Sequence, residues 1–583
     1  MSRSVRLVLG LLTVATVGSL VLVGAVYLMM GGSRSGSGAR TLVLKPGGSL
    51  PEMAPEFVLA VGSERTLTVG AYVDLIRKAT HDRRIEHIVL RPGALGTAPR
   101  ARVQELRSAL QGFRAAGKRV TAYLEQGGLQ AYYLATAADR IILMPTASLD
   151  VAGLASYDVF LRGTFDLIGT EPDFVHVGKY KTAVNTYTEK TWTPPHREMS
   201  ESLLRAQFDE LVTGIAEGRR KTADEVRTLI DQGPFLPEDA VRVGLVDDLA
   251  YDDQLDDLDE PVPSNTTSAV EYRDVSWASV GKPQRSRIAV IHASGVITEG
   301  ESRNDPVNGA VLGAESFIKD LRAARDSGVK AIVVRIDSPG GSAQAADVMW
   351  REMSISKSDR LPLVVSMGDL AASGGYYMAV AGDAIVAQPS TLTGSIGVYS
   401  GKFAIAGTLA KLGVHQEALS LGRFAEMTSG LRTFTPDERA KMTESVQAIY
   451  DTFIERVADG RGKTPEDVDR VAQGRVWTGR QALEHGLVDA LGGLTEAVAM
   501  AKARAGVPEG DEVELVMYPK SRGLYDLLSG QLGPFGDSQS RAADAMMSLL
   551  SPRERQVMAA VLAPSRLFRT SEPLAHLPYV REP

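Results

Sequence analysis

The sequence predicts an α/β protein made of two tandem copies of one domain, with a single N-terminal transmembrane helix ahead of them. Three observations predict it. Short apolar strands alternate with amphipathic helices, the pattern of βαβ crossovers. Tyr132-Tyr133-Leu-Ala-Thr-Ala-Ala-Asp139 recurs as Tyr376-Tyr377-Met-Ala-Val-Ala-Gly-Asp383, 244 residues later. Leu7 to Met30 is a run of 24 residues without a charge.

The first element is the anchor. As a helix the uncharged run spans roughly 36 Å, enough to cross a bilayer with some tilt. Arg3 and Arg6 precede it and favour a cytoplasmic N-terminus with the body outside. Arg34 and Arg40 on the far side weaken that asymmetry. A cleavable signal peptide is the rival reading, but Tyr27-Leu-Met-Met-Gly31 is a poor small-x-small cleavage site. Gly31 to Gly38 reads as a flexible tether, so residues 1–39 form anchor and tether.

The first copy is expected over residues 40–267. Its clearest helix is Ala101 to Ala116, with Val103, Leu106, Leu110 and Phe113 on one face. Strands are expected at His87 to Leu90, Arg119 to Tyr123 and Arg140 to Leu143, and a helix from about Gln130. The acidic, proline-bearing stretch Asp252 to Thr267 reads as a linker.

The second copy is expected over residues 268–515. Strands are read at Ser286 to His292, Lys330 to Ile336, Leu363 to Ser366 and Ala384 to Ala387. Helices are read at Ala314 to Asp326 and Gln344 to Met353. Continuous apolar strands of this kind fit a sheet buried on both faces. The copies also end alike, in Gly244-Leu-Val-Asp247 and Gly486-Leu-Val-Asp489. Residues 516–583 read as a helical tail, with amphipathic stretches at 541–550 and 552–562.

Composition narrows the chemistry. A net charge of −7 without a basic stripe argues against nucleic acid as a partner. With no cysteine there is no disulfide, thiol nucleophile or Cys-ligated zinc. The eight histidines form no His-x-x-x-His pair, and no Gly-Lys-Ser/Thr follows the glycine-rich turns. No metal and no cofactor are expected.

Two glycine-rich strand-to-helix junctions stand out. Asp337-Ser-Pro-Gly340-Gly341-Ser342 leaves amide hydrogens exposed in a tight turn, an arrangement able to hold a developing oxyanion. Read alone, it is an ordinary βα turn. Ala371-Ala-Ser373-Gly374-Gly-Tyr376 would present a hydroxyl at a strand end with the Gly374 amide beside it. Read alone, Ser373 is as readily a helix cap. The two copies differ here in an informative way. The first copy has Leu129 where the second has Ser373, and the second has Ala425 where the first has Lys181. One copy keeps a hydroxyl and the other an amine, as expected if one site is assembled from both. No histidine is placed as a base. A buried lysine without a carboxylate can lose its charge and accept the serine proton.

Five motifs carry a family resemblance. They are Asp337-Ser-Pro-Gly-Gly, Ala372-Ser373-Gly-Gly-Tyr-Tyr, Thr393-Gly-Ser-Ile-Gly-Val398, Tyr180-Lys181-Thr-Ala and Gly474-Arg-Val-Trp-Thr-Gly with Gly-Leu-Val-Asp489. Together they resemble the signal peptide peptidase A (protease IV) family, in its long, duplicated bacterial form. The resemblance implies crotonase/ClpP-like domains and a Ser–Lys dyad, with Ser373 the nucleophile and Lys181 the general base. Oxyanion donors would be the backbone amides of Gly374 and of Gly340 or Gly341. It further implies hydrolysis of cleaved signal peptides and other apolar peptides, an inner-membrane location with the body outside, and a homotetramer. Where the family commonly has Tyr-Lys-Ser-Ala-x-Glu, this chain has Thr182 and Asn185; the Thr182 hydroxyl is expected to be able to orient the amine. Rival readings are a non-catalytic membrane scaffold on a decayed protease fold and a crotonase-like acyl-CoA enzyme.

Overall fold

Two parallel sheets repeat one strand order. In the computed structural model, which describes residues 39–53, 67–258, 261, 264–305, 309–358, 361–520 and 574–576, the first sheet runs Asp248–Leu249, Arg140–Leu143, Arg119–Leu124, His87–Leu90, Thr41–Leu44, Thr266–Ser268. The second runs Ala490–Leu491, Ala384–Ala387, Leu363–Ala372, Ala331–Ser338, Gln284–Ser294, Glu512–Tyr518. Strands that start at His87, Arg119 and Arg140 have counterparts starting at Ala331, Leu363 and Ala384, each 244 residues on. The duplication is therefore one of fold as well as of sequence.

The strands of the second sheet are rich in β-branched and other apolar residues because helices cover both faces, whereas in the first sheet Ala250 and Leu255 close the face opposite its helices. In Ala331–Ser338 all residues but Asp337 are buried. The long helices Pro194–Arg219 and Pro436–Arg461 have 26 residues each and lie 242 residues apart. Each starts with proline in its first turn, where no intrahelical amide bond is lost, and each stops on a left-handed residue, Arg220 or Gly462. Each copy has its own apolar core. One is built around Leu106, Phe113, Tyr132 and Leu143, the other around Val334, Met349, Tyr376 and Phe453. Burying each such side chain contributes about 1.5–3 kcal/mol. The copies even repeat a core hydrogen bond: Tyr132 donates to the Leu245 carbonyl and Tyr376 to that of Leu487, both at 2.8 Å.

Two features join the copies. Glu171–Val177 of the first pairs antiparallel with Val398–Ala404 of the second, Val177 opposite Val398 and Glu171 opposite Ala404. A buried charge cluster also crosses the junction. Arg335 donates to Glu105 at 2.6 Å and to Glu52 at 2.8 Å, while Arg102 reaches Asp337. Arg335 is almost wholly buried, and loss of either carboxylate would leave its charge poorly compensated.

The structure departs from the expected elements at short or glycine-rich segments. The end of the stretch read as a linker, Thr266–Ser268, is an edge strand on Thr41–Leu44. After it, Tyr272 donates to Asp82 and Trp277 to Asp74, so this connection packs on the first copy. Glu512–Tyr518 lies across the expected start of the tail and completes the second sheet. The glycines expected in a plain turn form a strand, Gly340–Ser342. Leu574–His576, within the stretch read as a helical tail, is also a strand. It lies between Gly340–Ser342 and Val398–Ala404. Short strands of this kind are set by backbone pairing, which leaves little side-chain period to read. The anchor and both tail helices lie outside the described residues. Among the described residues no helix is long and apolar enough to cross a membrane.

Candidate active site

Ser373 sits where the strand Leu363–Ala372 turns into the helix Gly374–Ala379. Its backbone is at φ 55°, ψ −115°, a region that non-glycine residues seldom occupy. The turn is held from both sides. The Ser373 amide donates to the Gly394 carbonyl at 2.8 Å, and the Ser373 carbonyl accepts from the Tyr377 amide at 2.8 Å. The hydroxyl makes no capping bond to the helix. It projects instead into a fully buried space.

Lys181 of the first copy fills that space. Its Nζ lies 2.7 Å from Ser373 Oγ, 3.0 Å from Ser395 Oγ and 3.0 Å from the Ser395 carbonyl oxygen. The residue is 1% exposed. Burial pushes its amine well below the ordinary value of 10.5, and no carboxylate offsets that desolvation. A neutral amine has two N–H donors and one lone pair. The two oxygens of Ser395 match the donors, which leaves the lone pair for the Ser373 hydroxyl.

The backbone delivers Lys181 from the end of Glu171–Val177. The Tyr180 amide donates to the Gln473 carbonyl at 2.8 Å, and the Lys181 amide to that of Gly178 at 3.1 Å. Gly178 and Gly474, at φ 101° and 78°, allow the chains to cross here.

The glycine turn lies against the other side of Ser373. A β-carbon on Gly374 would sit 3.3 Å from both the Gly340 α-carbon and the Gly341 nitrogen. The Gly340 amide is already engaged, donating to Ser338 Oγ at 3.1 Å. Gly341, beside it in the strand, lies opposite Ile297 and Ala575. A strongly polarised carbonyl beside Ser373 would find backbone amides in this region.

The sequence matches Peptidase family S49 over residues 112–260 and 355–508. It is 35% identical to the chloroplastic serine protease SPPA of Arabidopsis thaliana, over 78% of this chain and 68% of that one. It is 33% identical to Protease 4 of Salmonella typhi, over 74% and 71%, and 30% identical to Protease 4 of Haemophilus influenzae, over 75% and 73%. The chain belongs to peptidase family S49. It is a serine peptidase.

In this S49 peptidase the structure brings together the hydroxyl and the amine that the two copies keep separately. It also adds a residue that the sequence did not single out. Ser395 stands in the Thr393-Gly-Ser motif, yet its contact with the amine depends on a left-handed backbone, φ 50°, and on its amide bond to the Arg475 carbonyl at 2.7 Å. Thr182, expected to be able to orient the amine, does not touch it; its buried Oγ1 has no hydrogen-bond partner among the described residues. Asn185 donates to Thr193 at 3.2 Å, and Lys179 is exposed with its amine over the Tyr180 ring. In the first copy, Leu129 begins the helix equivalent to Gly374–Ala379 and offers no hydroxyl.

Proposed function

We propose that this S49 peptidase is a membrane-anchored endopeptidase that degrades cleaved signal peptides through a Ser373–Lys181 dyad. The observation that carries the reading is the buried amine of Lys181, 2.7 Å from Ser373 Oγ and without a charged partner. The neutral amine takes the Ser373 proton as Oγ attacks the peptide carbonyl. The oxyanion is held by the amides of Gly374 and Gly341, the Gly340 amide being turned to Ser338. The protonated amine then gives its proton to the leaving nitrogen, and an acyl-enzyme remains. Water enters, loses a proton to the same amine and displaces Ser373, which recovers that proton.

The strand slot between Gly340–Ser342 and Val398–Ala404 suits an extended peptide, because Leu574–His576 already adds there by backbone pairing. Cleavage within such a strand is endopeptidase action. The uncharged run Leu7 to Met30 supports a single-pass inner-membrane anchor with the body outside, beside bilayer-held apolar peptides. The resemblance to the duplicated protease IV type supports a homotetramer.

The test is fluorophosphonate labelling and peptide turnover of the purified chain. Ser373→Ala abolishes both. Lys181→Ala lowers turnover by roughly 10⁴-fold or more, the scale of losing a member of a catalytic unit. Labelling that persists in Ser373→Ala would remove the serine from this role, and undiminished turnover in Lys181→Ala would remove the lysine.

A further inference from the structure

The residue that precedes Lys181 is clamped from the second copy. The Tyr180 hydroxyl donates to the Glu198 carboxylate at 2.9 Å, and Arg475 Nη1 donates to Glu198 Oε1 at 2.6 Å. The Arg475 guanidinium lies over the Tyr180 ring, 4.6 Å from its centroid, and over the Trp477 ring at 4.5 Å. Trp477 is fixed in turn, its Nε1 donating to the Val471 carbonyl at 2.9 Å. Lys179 is the other charged group at the Tyr180 ring, at 4.8 Å. The Arg475 main chain also reaches the site: its carbonyl accepts from the Ser395 amide at 2.7 Å. Ser395 supplies the two oxygens that face the Lys181 amine. One residue thus touches both neighbours of the amine, Tyr180 with its side chain and Ser395 with its main chain.

The duplication shows whether this clamp is general to the fold. At the 244-residue spacing Tyr180 corresponds to Phe424, which has no hydroxyl. The 242-residue spacing of the two long helices pairs Glu198 with Ala440. The helices Pro237–Arg242 and Gly479–Glu484 keep that spacing, which pairs Arg475 with Gly233. The counterparts lack the hydroxyl, the carboxylate and the guanidinium, just as Ala425 and Leu129 lack the amine and the serine. The fold forms without the clamp at those positions. An ion pair whose carboxylate is 57% exposed also adds little stability. A clamp that does little for the fold, and stands only beside the reacting pair, points to the reaction.

We propose that Arg475 is a positioning residue for peptide hydrolysis, aiming the Lys181 amine at Ser373 by holding Tyr180 and Ser395 at once. The inference rests on the dyad reading above. Arg475 and the Tyr180 hydroxyl hold the Glu198 carboxyl below its ordinary range, so the clamp stays charged at neutral pH. Glu198 and Arg475 also line a solvent-open cavity of 530 Å³, with Arg205 and Gln481. Lys181, next to Tyr180 in the chain, is 1% exposed. The clamp therefore has a second effect: it keeps water of that cavity from an amine whose lowered proton affinity comes from burial. Opening the clamp admits water and returns that affinity towards the ordinary one. Arginine suits the task because a planar guanidinium stacks on both rings while it pairs with the carboxylate.

The test is the pH profile of kcat/KM for variants of the full chain. Arg475→Met keeps apolar contact with the two rings and removes the charge. It is expected to lower kcat by about 10- to 100-fold, the scale of a misplacement approaching 1 Å, with KM little changed. The midpoint of its kcat/KM profile is expected to move to higher pH, which a loss of folded protein alone does not cause. Arg475→Lys keeps the charge without the flat stack and is expected to fall between Arg475→Met and wild type. Glu198→Gln and Tyr180→Phe disturb the clamp at nearly constant volume and are expected to move the midpoint the same way by less. They carry the test if Arg475→Met does not fold. A midpoint that stays at the wild-type value or falls below it overturns the positioning role, whatever the loss of total activity. Full turnover in Lys181→Ala would sink the dyad reading and this inference with it. An inactive Lys181→Ala beside an unshifted Arg475→Met overturns the inference alone and leaves the dyad standing.

Discussion

Gly474 lies so close to Lys181 that a β-carbon on the glycine would sit 2.6 Å from the lysine α-carbon. It would also sit 2.4 Å from the lysine amide nitrogen. Both neighbours are main chain and cannot rotate away. Gly474 is at φ 78°, so alanine would be strained even with room to spare. Gly474→Ala therefore displaces the segment carrying the amine. A shift of about 1 Å between reacting groups costs on the order of 100-fold. Turnover is expected to fall by about that factor, with stability reduced by roughly 1–3 kcal/mol. Steady-state kinetics and denaturant melts check it; near-wild-type turnover would mean that the crossing does not set the lysine's position.

The buried amine sets a pH dependence whose sign is fixed. If Lys181 is the base proposed above, attack needs it uncharged, and kcat/KM rises with pH and levels off well below the amine's ordinary value of 10.5. Stability moves through linkage. Between the depressed folded value and 10.5 the unfolded chain binds the extra proton, so burying this lysine is destabilising. That cost is complete below the folded value and disappears as pH rises past 10.5. Lys181→Met is thus expected to be inactive yet to melt higher than wild type at neutral pH, with the gain shrinking as pH rises. Thermal melts at pH 7 and at about pH 10 measure it. A lower melting temperature for the variant at pH 7 would show that the amine is not held at a cost.

Ser395 supplies both oxygens that face the N–H groups of the amine. Ser395→Ala removes the hydroxyl and keeps the carbonyl. Each lost bond of this kind is worth about 0.5–1.5 kcal/mol, and loosened aim adds to it. A fall in kcat of about 10- to 100-fold is expected, with KM little changed. Ser395→Thr, which restores the hydroxyl, should recover part of the loss. An unchanged kcat and pH profile in Ser395→Ala would make the contact a packing one.

The parts that were legible in the sequence share a physical cause. The central strands are apolar runs buried on both faces, so their residue types mark them: His87–Leu90, Arg140–Leu143 and Ala384–Ala387 lie where they were read. The meeting of Lys181 and Ser373 was legible because duplication makes each copy a control for the other. Thr266–Ser268 and Gly340–Ser342 were not legible, for three polar or glycine residues give no period. Ser395 was hidden for another reason. It is 214 residues from Lys181, and what qualifies it is backbone conformation. A serine in the three-residue connection between Leu392–Gly394 and Val398–Ala404 carries no mark of that.

Leu574–His576 occupies the strand slot beside Ser373, with Ala575 opposite Gly341 and His576 opposite Gly340. An incoming peptide that uses this slot must displace it. Proline at position 575 removes a backbone donor from the added strand and disfavours the pairing. Ala575→Pro in the full chain is therefore expected to lower KM for an extended peptide, by roughly threefold to tenfold if one or two net hydrogen bonds are lost. The kcat should hold, because the substitution leaves the Lys181 contacts with Ser373 and Ser395 in place. The direction decides the matter: a weakened competitor lowers KM. A strand that instead shaped the slot for substrate would, once disrupted, raise KM. Initial-rate measurements on the two proteins separate these outcomes, and an unchanged KM would mean that peptides reach Ser373 without contesting Gly340–Ser342.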